Sequence, residues 1–525
     1  MDLQALLNLS ALGVYFHALY VSITLGFPVA IGIMLYLWSK TQDPIYLSAA
    51  RKMSWVLAVN FALGAITGTL VEFGLVQIWP GTILAIATFA FTPLALELIA
   101  FIMEIALLIL FLVTLGRIRP FLSIVVLSLY AAFAYFSGTL ITAVNSWLQA
   151  PWGTGPLAKT LYPFLPEYGP LAADPAKLVA LKIALAGTGK PLSLILQNPG
   201  VSEQVGIVLN DPWVAFYSPY AIVSIFHNIL AAVIIGMGIA IAGWSYRYWK
   251  TGREEYLRIV KPLAAALAII FIIQAPVVAH FMGKAVVEYM PTKFALMEGA
   301  RETYHNPIIA LIAYGDPSKP IQGFDKFYEA CDTLGATTLG DVARQLNIDF
   351  DQLKAMLGLQ LASASVLDVK LADICKADVA KAEAYIPLIQ VVYYTKVAFA
   401  VIGVASAILL ASTLNRVPLL TGVANAIVRI LGGDMRRTVF ILAALAFLGA
   451  SIAAIGGWYV REVGRKPWTV YGLLYPSEVV TPVDYATSTG FLIFAYAVIL
   501  AVNIGGLAAM YIVATRELKF WRRGQ

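Results

Sequence analysis

Charged residues and cysteines are both scarce in this chain. Only 13% of its 525 residues are charged, and its only cysteines are Cys331 and Cys375. So few charges cannot cover the surface of a soluble protein of this length, which indicates a membrane protein. The chain has no CxxCH, HExxH or Walker A motif and no dinucleotide-binding GxGxxG. Covalent c-type haem is therefore excluded, and zinc proteases, ATPases and dinucleotide enzymes have no support.

Apolar residues dominate instead. They make up 60% of the chain, and the mean hydropathy is +0.80. We predict an all-α, polytopic membrane bundle of about nine transmembrane helices. The first run has no basic segment before it and no cleavage site, so we predict a retained helix. The apolar runs cover about 10–38, 54–79, 84–114, 121–148, 215–246, 262–282, 386–412, 437–460 and 486–514.

These runs divide the chain into five regions. Residues 1–148, 215–282 and 386–525 hold helices 1–4, 5–6 and 7–9, and loops 149–214 and 283–385 separate them. The second loop contains both cysteines, for which a disulfide and two free thiols are equally compatible with the sequence. It also contains TLGDVARQL (338–346) and FDQLKAMLGLQL (350–361), which predict short amphipathic helices.

Lysine and arginine alternate between the connections. Loops 39–53, 115–120 and 247–261 are basic, whereas the short connection 79–84 has no basic residue. The positive-inside rule therefore predicts an outer N-terminus and a cytoplasmic C-terminus. This orientation accounts for the net charge of +6, so we do not predict nucleic-acid binding. Loop 461–485 departs from the rule, because it carries Arg461, Arg465 and Lys466 on the outer side.

Several ionisable residues lie inside the apolar runs, where charge is costly. At 1.5 Å per residue, His17 lies about 34 Å from the cytoplasmic end, and Glu97 and His227 lie about 30 Å from it. Glu462 lies at the outer end of its run, so these four residues are predicted to share one outer level. Glu104 is deeper, about 20 Å from the cytoplasmic end, on the same helix face as Glu97.

Each of these residues also has a purely structural interpretation. A membrane histidine can bond to a neighbouring helix, and Glu462 can extend to the interface. Their shared depth favours a buried site that handles charge. Neutral imidazole and carboxylate groups are suitable ligands for haem or non-haem iron.

In their local contexts these residues resemble subunit I of the cytochrome bd-type quinol oxidases. The similarity keeps its order over nearly the whole chain. The matching segments are HALYVSITLG (17–26), FALGAITGTLVEF (61–73), LELIAFIMEI (96–105), NSWLQAPWG (145–153), PTKFALMEGARET (291–303) and GWYVREVGRKPW (457–468).

The resemblance implies three haems and a role for each matching residue. His17 would bind the active-site haem, d or b, where O2 reacts. Glu462 would bind a neighbouring high-spin haem b, with Glu97 close to the pair. Glu104 would deliver protons from the cytoplasmic side, and His227 would bind a low-spin haem b.

The remaining matches imply a quinol site and residues that support the haems. Lys293 and Glu298 would bind quinol on the outer side. Trp458 and Arg465 would support the haems, and Lys396 stands beside them where the family has an arginine.

The chain departs from the family pattern at two points. Glu97 and Glu104 are seven residues apart, whereas eight is usual. The low-spin haem normally takes a methionine from the start of helix 7, but Thr395 or Ala398 occupies that place, depending on register. No Met or His occurs between Met356 and Met435. Another ligand, a five-coordinate haem and a missing haem all remain open.

We therefore predict the haem-bearing subunit of a bd-type terminal oxidase in a prokaryotic cell membrane. It would oxidise quinol at the outer face and reduce O2 to water with cytoplasmic protons. A second, homologous transmembrane subunit is the expected partner, and a small single-helix subunit is a further candidate. The alternatives are a bd-like haem oxidoreductase with another donor or acceptor, and a cofactor-free proton-coupled transporter.

Overall fold

The computed structural model describes residues 3–197, 211–349, 351, 365–415, 421–430, 432–484 and 488–515. Within this part of the chain, nine helices are long and apolar enough to cross a membrane, as predicted. We name them in chain order α1 (Leu3–Thr41), α2 (Pro44–Ile78), α3 (Phe91–Thr114), α4 (Pro120–Gln149), α5 (Pro219–Thr251), α6 (Glu254–Tyr289), α7 (Ile386–Asn415), α8 (Met435–Val463) and α9 (Thr489–Thr515).

The sequence marks several helix starts with a short polar residue followed by proline. Asp43 accepts a hydrogen bond from the Ile45 N–H and precedes Pro44 at the first turn of α2. Ser218 caps α5 in the same way, before Pro219. Such a side chain satisfies an unpaired backbone N–H, and proline has no N–H to satisfy.

Glycine pairs bring helices of the bundle into close contact. A Cβ atom on Gly26 of α1 would lie only 2.6 Å from the Cα of Gly236 in α5. A Cβ atom on Gly449 of α8 would lie 2.7 Å from the Cα of Gly403 in α7. Small residues at these crossings let the backbones approach, as is common in membrane bundles. The pairs α1–α5 and α7–α8 therefore have a fixed register.

The third apolar run is divided, contrary to the single span predicted over 84–114. A short helix, Pro80–Phe89, ends at Ala90, and α3 starts at Phe91. Pro93 cannot donate to the Phe89 carbonyl, so a continuous helix would lose a hydrogen bond there. The membrane span therefore starts about two turns later than predicted.

Most of the remaining elements lie on the side of the bundle where α1 starts, which we call the loop side. A two-stranded antiparallel sheet there pairs β1 (Thr154–Gly155) with β2 (Tyr168–Leu171). The short helices of the loop side are Leu157–Leu161, Pro175–Thr188, Leu192–Ile195, Pro291–Glu298, Pro307–Tyr314, Phe324–Asp332, Leu339–Gln345, Ser365–Asp368, Leu371–Glu383 and Pro476–Val479, with a 3-10 turn at Val214–Tyr217. On the opposite side, Thr421–Ile430 connects α7 and α8.

The two amphipathic helices predicted in the long loop have different outcomes. Leu339–Gln345 is present, and Thr338 and Asp341 form a reciprocal capping box at its start. This confirms the first prediction. The second, over 350–361, lies outside the described residues apart from Asp351.

A disulfide closes the loop-side layer. Cys331 and Cys375 are bonded, which joins helix Phe324–Asp332 to helix Leu371–Glu383. Both sulfur-bearing residues are fully buried, and they pack with Phe324, Phe327 and Val379. The bridge thus fixes two helices of the long loop 283–385 to each other.

Loss of this bridge is expected to destabilise the loop-side layer. For a sequence separation of 44 residues, the loop-closure entropy corresponds to about 4 kcal/mol. Thermal unfolding of the Cys331→Ser/Cys375→Ser variant, followed by limited proteolysis of 290–385, should therefore start at a lower temperature than in the wild type. Equal transition temperatures would show that the bridge contributes no stability.

Candidate functional site

A buried polar cluster lies where the loop-side ends of α4 and α8 meet. The Glu462 Oε1 atom accepts hydrogen bonds from the Asn145 amide at 3.2 Å and the Gln149 amide at 3.4 Å. Its Oε2 atom accepts from Arg465 Nη2 at 2.6 Å. A carboxylate has about four lone-pair positions, so these three bonds leave one available. Glu462 is thus held in place while it retains a ligand position.

Arg461 ties α8 to two other helices. Its guanidinium donates to the Asn145 side chain, to Ser224 Oγ in α5 at 2.6 Å and to Ser146 Oγ in α4 at 3.1 Å. The residue is only 8% exposed. Sequence analysis noted Arg461 as an exception to the positive-inside rule but gave it no role in the site. The departure of Arg461 from the positive-inside rule was the sequence feature that could have indicated its role in the cluster.

Lys293 enters this cluster from the short helix Pro291–Glu298. Its ammonium donates to Gln149 Oε1 and to the Arg461 carbonyl oxygen, the latter at 3.0 Å, and the residue is 2% exposed. Burial, together with the charges of Arg461 and Arg465, lowers the pKa of Lys293 well below its ordinary value. Lys293 is therefore part of the buried cluster, and its amine does not face solvent.

Glu298 is on a different face of the same short helix. Tyr394 donates to Glu298 Oε2 at 3.0 Å, and the Gln390 amide donates to the Glu298 carbonyl oxygen at 3.4 Å. Burial raises the pKa of the Glu298 carboxyl. Because five helical residues turn the chain by about 140°, Lys293 points toward Glu462 while Glu298 points toward α7. The side chains of Lys293 and Glu298 therefore do not contact each other in the structure.

Cationic groups outnumber carboxylates in the cluster. Arg461, Arg465 and Lys293 surround the single carboxylate of Glu462, and Lys466 lies close by. Burial and the neighbouring Arg465 lower the pKa of Lys466 to about 8. Two nitrogen atoms of Arg465, Nε and Nη1, are buried without a hydrogen-bond partner. Unpaired buried donors are costly, so this surplus is suited to anionic groups such as haem propionates.

His17 faces α2 across a glycine-lined surface. A Cβ atom on Gly68 would lie 3.0 Å from the imidazole Cε1. His17 Nδ1 lies 3.2 Å from Thr67 Oγ1, whose own hydrogen is directed at the Leu63 and Gly64 carbonyl oxygens. The hydroxyl therefore accepts from Nδ1–H, which leaves the lone pair on Nε2. That tautomer is the one that binds a metal through Nε2.

His227 is held by Gln274, a residue that sequence analysis missed. The Gln274 amide lies 3.1 Å from His227 Nδ1 and 3.1 Å from the His227 carbonyl oxygen. Gln274 begins a π-helical turn in α6, Gln274–Val278, that contains Pro276. Such turns are frequent at functional sites. Pro276, inside the sixth apolar run, was the sequence feature that could have indicated this turn.

The Gln274 Oε1 atom is buried and has no partner. The amide nitrogen of Gln274 donates to the His227 carbonyl oxygen and also lies against Nδ1, so Nδ1 is the ring nitrogen that accepts from Gln274. No hydrogen bond to Nε2 occurs among the described residues. Like His17, His227 therefore offers one unpaired nitrogen.

The two glutamates of α3 lie deeper than the Glu462 cluster. Ser137 of α4 donates to Glu97 Oε1 at 3.1 Å, and Glu104 is 4% exposed. Ser137 lies eight residues, or about 12 Å, further into the bundle than Asn145, which contacts Glu462. Glu97 therefore lies deeper than Glu462, and the two residues do not share the single outer level that the sequence predicts. Counting from basic residues failed because Arg117 lies beyond the end of α3, whereas Arg247 lies inside α5.

Trp458 and Lys396 flank the cluster on α8 and α7. The Arg461 guanidinium lies 5.4 Å from the centroid of the Trp458 ring. The Lys396 side chain lies against Gly456 and Gly457, where a Cβ atom would be 3.1 to 3.4 Å from its carbon atoms. Both predicted residues are therefore next to the site.

Comparison with known proteins gives one consistent family. Residues 8–518 match the profile of "Cytochrome bd terminal oxidase subunit I". The cytochrome bd-II ubiquinol oxidase subunit 1 of Escherichia coli (strain K12) is 23% identical, covering 96% of this chain and 93% of that protein. The cytochrome bd ubiquinol oxidase subunit 1 of Bacillus subtilis (strain 168) is 22% identical, covering 96% and 91%.

A solved structure has a similar fold. The bd oxidase of Geobacillus thermodenitrificans superimposes with a TM-score of 0.66 at 17% sequence identity, covering 97% of this chain and 98% of that one. At this identity the match shows the arrangement of helices and not the site.

Replacement of Arg461 is expected to destabilise the bundle strongly. Arg461→Leu would leave Ser224, Ser146 and Asn145 without their shared donor, at a cost of about 1–3 kcal/mol for each group left unsatisfied. Thermal unfolding in detergent measures this loss. Arg301→Leu is the matched control, because Arg301 pairs with Glu383 at the surface and such pairs contribute below about 1 kcal/mol. Equal losses for the two variants would show that Arg461 does not hold the helices together.

Proposed function

The chain belongs to the cytochrome bd terminal oxidase subunit I family, and we propose that it is the haem-bearing subunit of a quinol:O2 oxidoreductase that reduces O2 to water. One observation supports this most. His17 and His227 are each held by hydrogen bonds that leave one ring nitrogen without a partner among the described residues, and Glu462 keeps one carboxylate lone pair. Arg465, which bonds to Glu462, has two buried donors without partners. This combination suits porphyrin iron with anionic propionates.

We assign one haem to each of these side chains. His17 Nε2 would bind the active-site haem, d or b. Glu462 would bind a high-spin haem b, with Arg465 donating to a propionate and Trp458 supporting Arg461. His227 would bind a low-spin haem b. When bound, the haems carry electrons and bind O2, while the protein supplies ligands, orientation and protons.

We propose that the quinol site lies at Glu298. Its carboxyl lies against Tyr394, whose ring is 46% exposed, so a membrane-soluble quinol can reach it from the side of α7. A quinol that loses two electrons also loses two protons, and Glu298 would accept one of them. Lys293, on the other face of the same short helix, would hold that helix against the Glu462 cluster.

Protons for water formation would come through Glu104 and Glu97. Both carboxyls belong to α3, and Ser137 contacts Glu97. Glu104 is buried two turns further from the loop side. Glu104 would take up protons from the cytoplasmic side, and Glu97 would pass them toward the active-site haem.

The subunit is a multi-pass protein of the cell membrane. Its family forms multi-subunit complexes, and we propose a second homologous transmembrane subunit as the partner. Wide apolar faces on α3 and α9 remain exposed, with Ile102, Ile109, Ile493 and Ile504 each more than half accessible. These faces suit a helical partner or lipid.

A bd-like oxidoreductase with a different electron donor is the second candidate. The observation that favours it is the start of α7, where Thr395 and Ala398 offer no thioether. Methionine ligation raises haem potential, so its absence changes the potential that a donor must match. Quinol-dependent O2 uptake, tested with both ubiquinol and menaquinol as donors, separates these cases.

The function is tested on the purified complex. We expect b-type haem bands, and quinol-dependent O2 uptake without peroxide release. Absence of every haem band would contradict the proposal. Haem without quinol-dependent uptake would favour the second candidate.

Thr67 provides a sharper variant for the same assay. Thr67→Val removes the acceptor for His17 Nδ1–H, so occupancy of that haem should fall and its affinity should drop about 10–100-fold. Thr67→Ser keeps the hydroxyl and is the matched control. Equal haem content and uptake in both variants would contradict the assignment of His17.

A further inference from the structure

The register between α5 and α8 sets the depth of His227. Arg461 Nη1 bonds to Ser224 Oγ at 2.6 Å, which places these two residues level with each other. His227 lies three residues further into the bundle on α5, and Gly457 lies four residues further in on α8. At 1.5 Å per residue these steps are about 4.5 and 6 Å. His227 and Gly457 are therefore at nearly the same depth.

Lys396 reaches that depth from α7. A Cβ atom on Gly456 would lie 3.1 Å from Lys396 Cβ, and one on Gly457 would lie 3.4 Å from Cε and 3.8 Å from Nζ. The side chain thus runs along two glycines of α8 and ends beside Gly457. There its charge is close enough to interact electrostatically with the His227 ring.

The Lys396 amine has no anionic partner among the described residues. Its recorded neighbour is the ring of Tyr393, with the amine 5.8 Å from the ring centroid. Lys396 is half-buried, but it lies within a membrane-spanning helix, where an ammonium without a counter-charge is costly and the neutral amine is the less costly form. A neutral amine carries a nitrogen lone pair and can bind a metal.

Few other side chains can bind iron opposite His227. The sequence has no Met or His between Met356 and Met435, and Met435 lies at the far end of α8. His280 of α6 is six residues beyond Gln274, about 9 Å closer to the loop side. Lys396 is the group at the right depth.

We propose that Lys396 supplies the second axial ligand of the haem held by His227. The inference rests on the proposed function. On coordination the ammonium releases one proton to solvent, and its nitrogen lone pair binds the iron, with no change in oxidation state. Because an amine is a harder donor than a thioether, it favours the ferric form and gives this haem a low potential.

Substitutions of Lys396 distinguish a role as an iron ligand from a role as a charge partner. Lys396→Arg keeps the positive charge, but a guanidinium does not lose its proton and cannot coordinate. In the purified complex, electron paramagnetic resonance and near-infrared magnetic circular dichroism of the oxidised haems report axial ligands. We expect Lys396→Arg and Lys396→Ala to lose the low-spin signal completely. Lys396→Met should restore a low-spin haem with a thioether signature and a higher midpoint potential.

A wild-type low-spin signal in Lys396→Arg would overturn the proposal and make Lys396 a charge partner of a propionate. Loss of the wild-type signature in His280→Ala with retention in Lys396→Ala would make His280 the ligand. These outcomes are distinct from failure of the proposed function, in which the complex would contain no haem.

Discussion

The Arg461 guanidinium is the interaction on which the geometry of the site depends. It joins α8 to Asn145 and Ser146 on α4 and to Ser224 on α5. Unsatisfied donors on a buried arginine are costly, so these bonds favour one register between the three helices. That register presents Glu462 to Gln149 and places Gly457 level with His227. Ligand positions on separate helices thus become parts of one site.

The sequence predicted the number of spans and the buried ionisable residues because both follow from the cost of polarity in hydrocarbon. It did not predict depth well. Arg117 lies three residues beyond the end of α3, whereas Arg247 lies four residues before the end of α5, so distances counted from these basic residues carried different offsets. It also missed Gln274, because glutamine carries no charge and its role appears only once the π turn directs it at His227.

The loop side is connected directly to the buried cluster. Through Lys293, the short helix Pro291–Glu298 bonds to Gln149 and to the Arg461 carbonyl oxygen, and through Glu298 it contacts α7. The proposed quinol site and the proposed haem site therefore lie on opposite sides of one helix of eight residues. Neither face was evident from spacing alone, since Lys293 and Glu298 are both polar residues in a loop.

Locating the iron atoms tests the central claim, which is that the ring nitrogens of His17 and His227 that lack a hydrogen-bond partner, and the remaining carboxylate lone pair of Glu462, mark haem positions. A high-resolution cryo-electron microscopy map of the complex measures this directly. We expect three haems, with iron about 2 Å from His17 Nε2, from an imidazole nitrogen of His227 and from a carboxylate oxygen of Glu462. Haem density that avoids any of these side chains would contradict it.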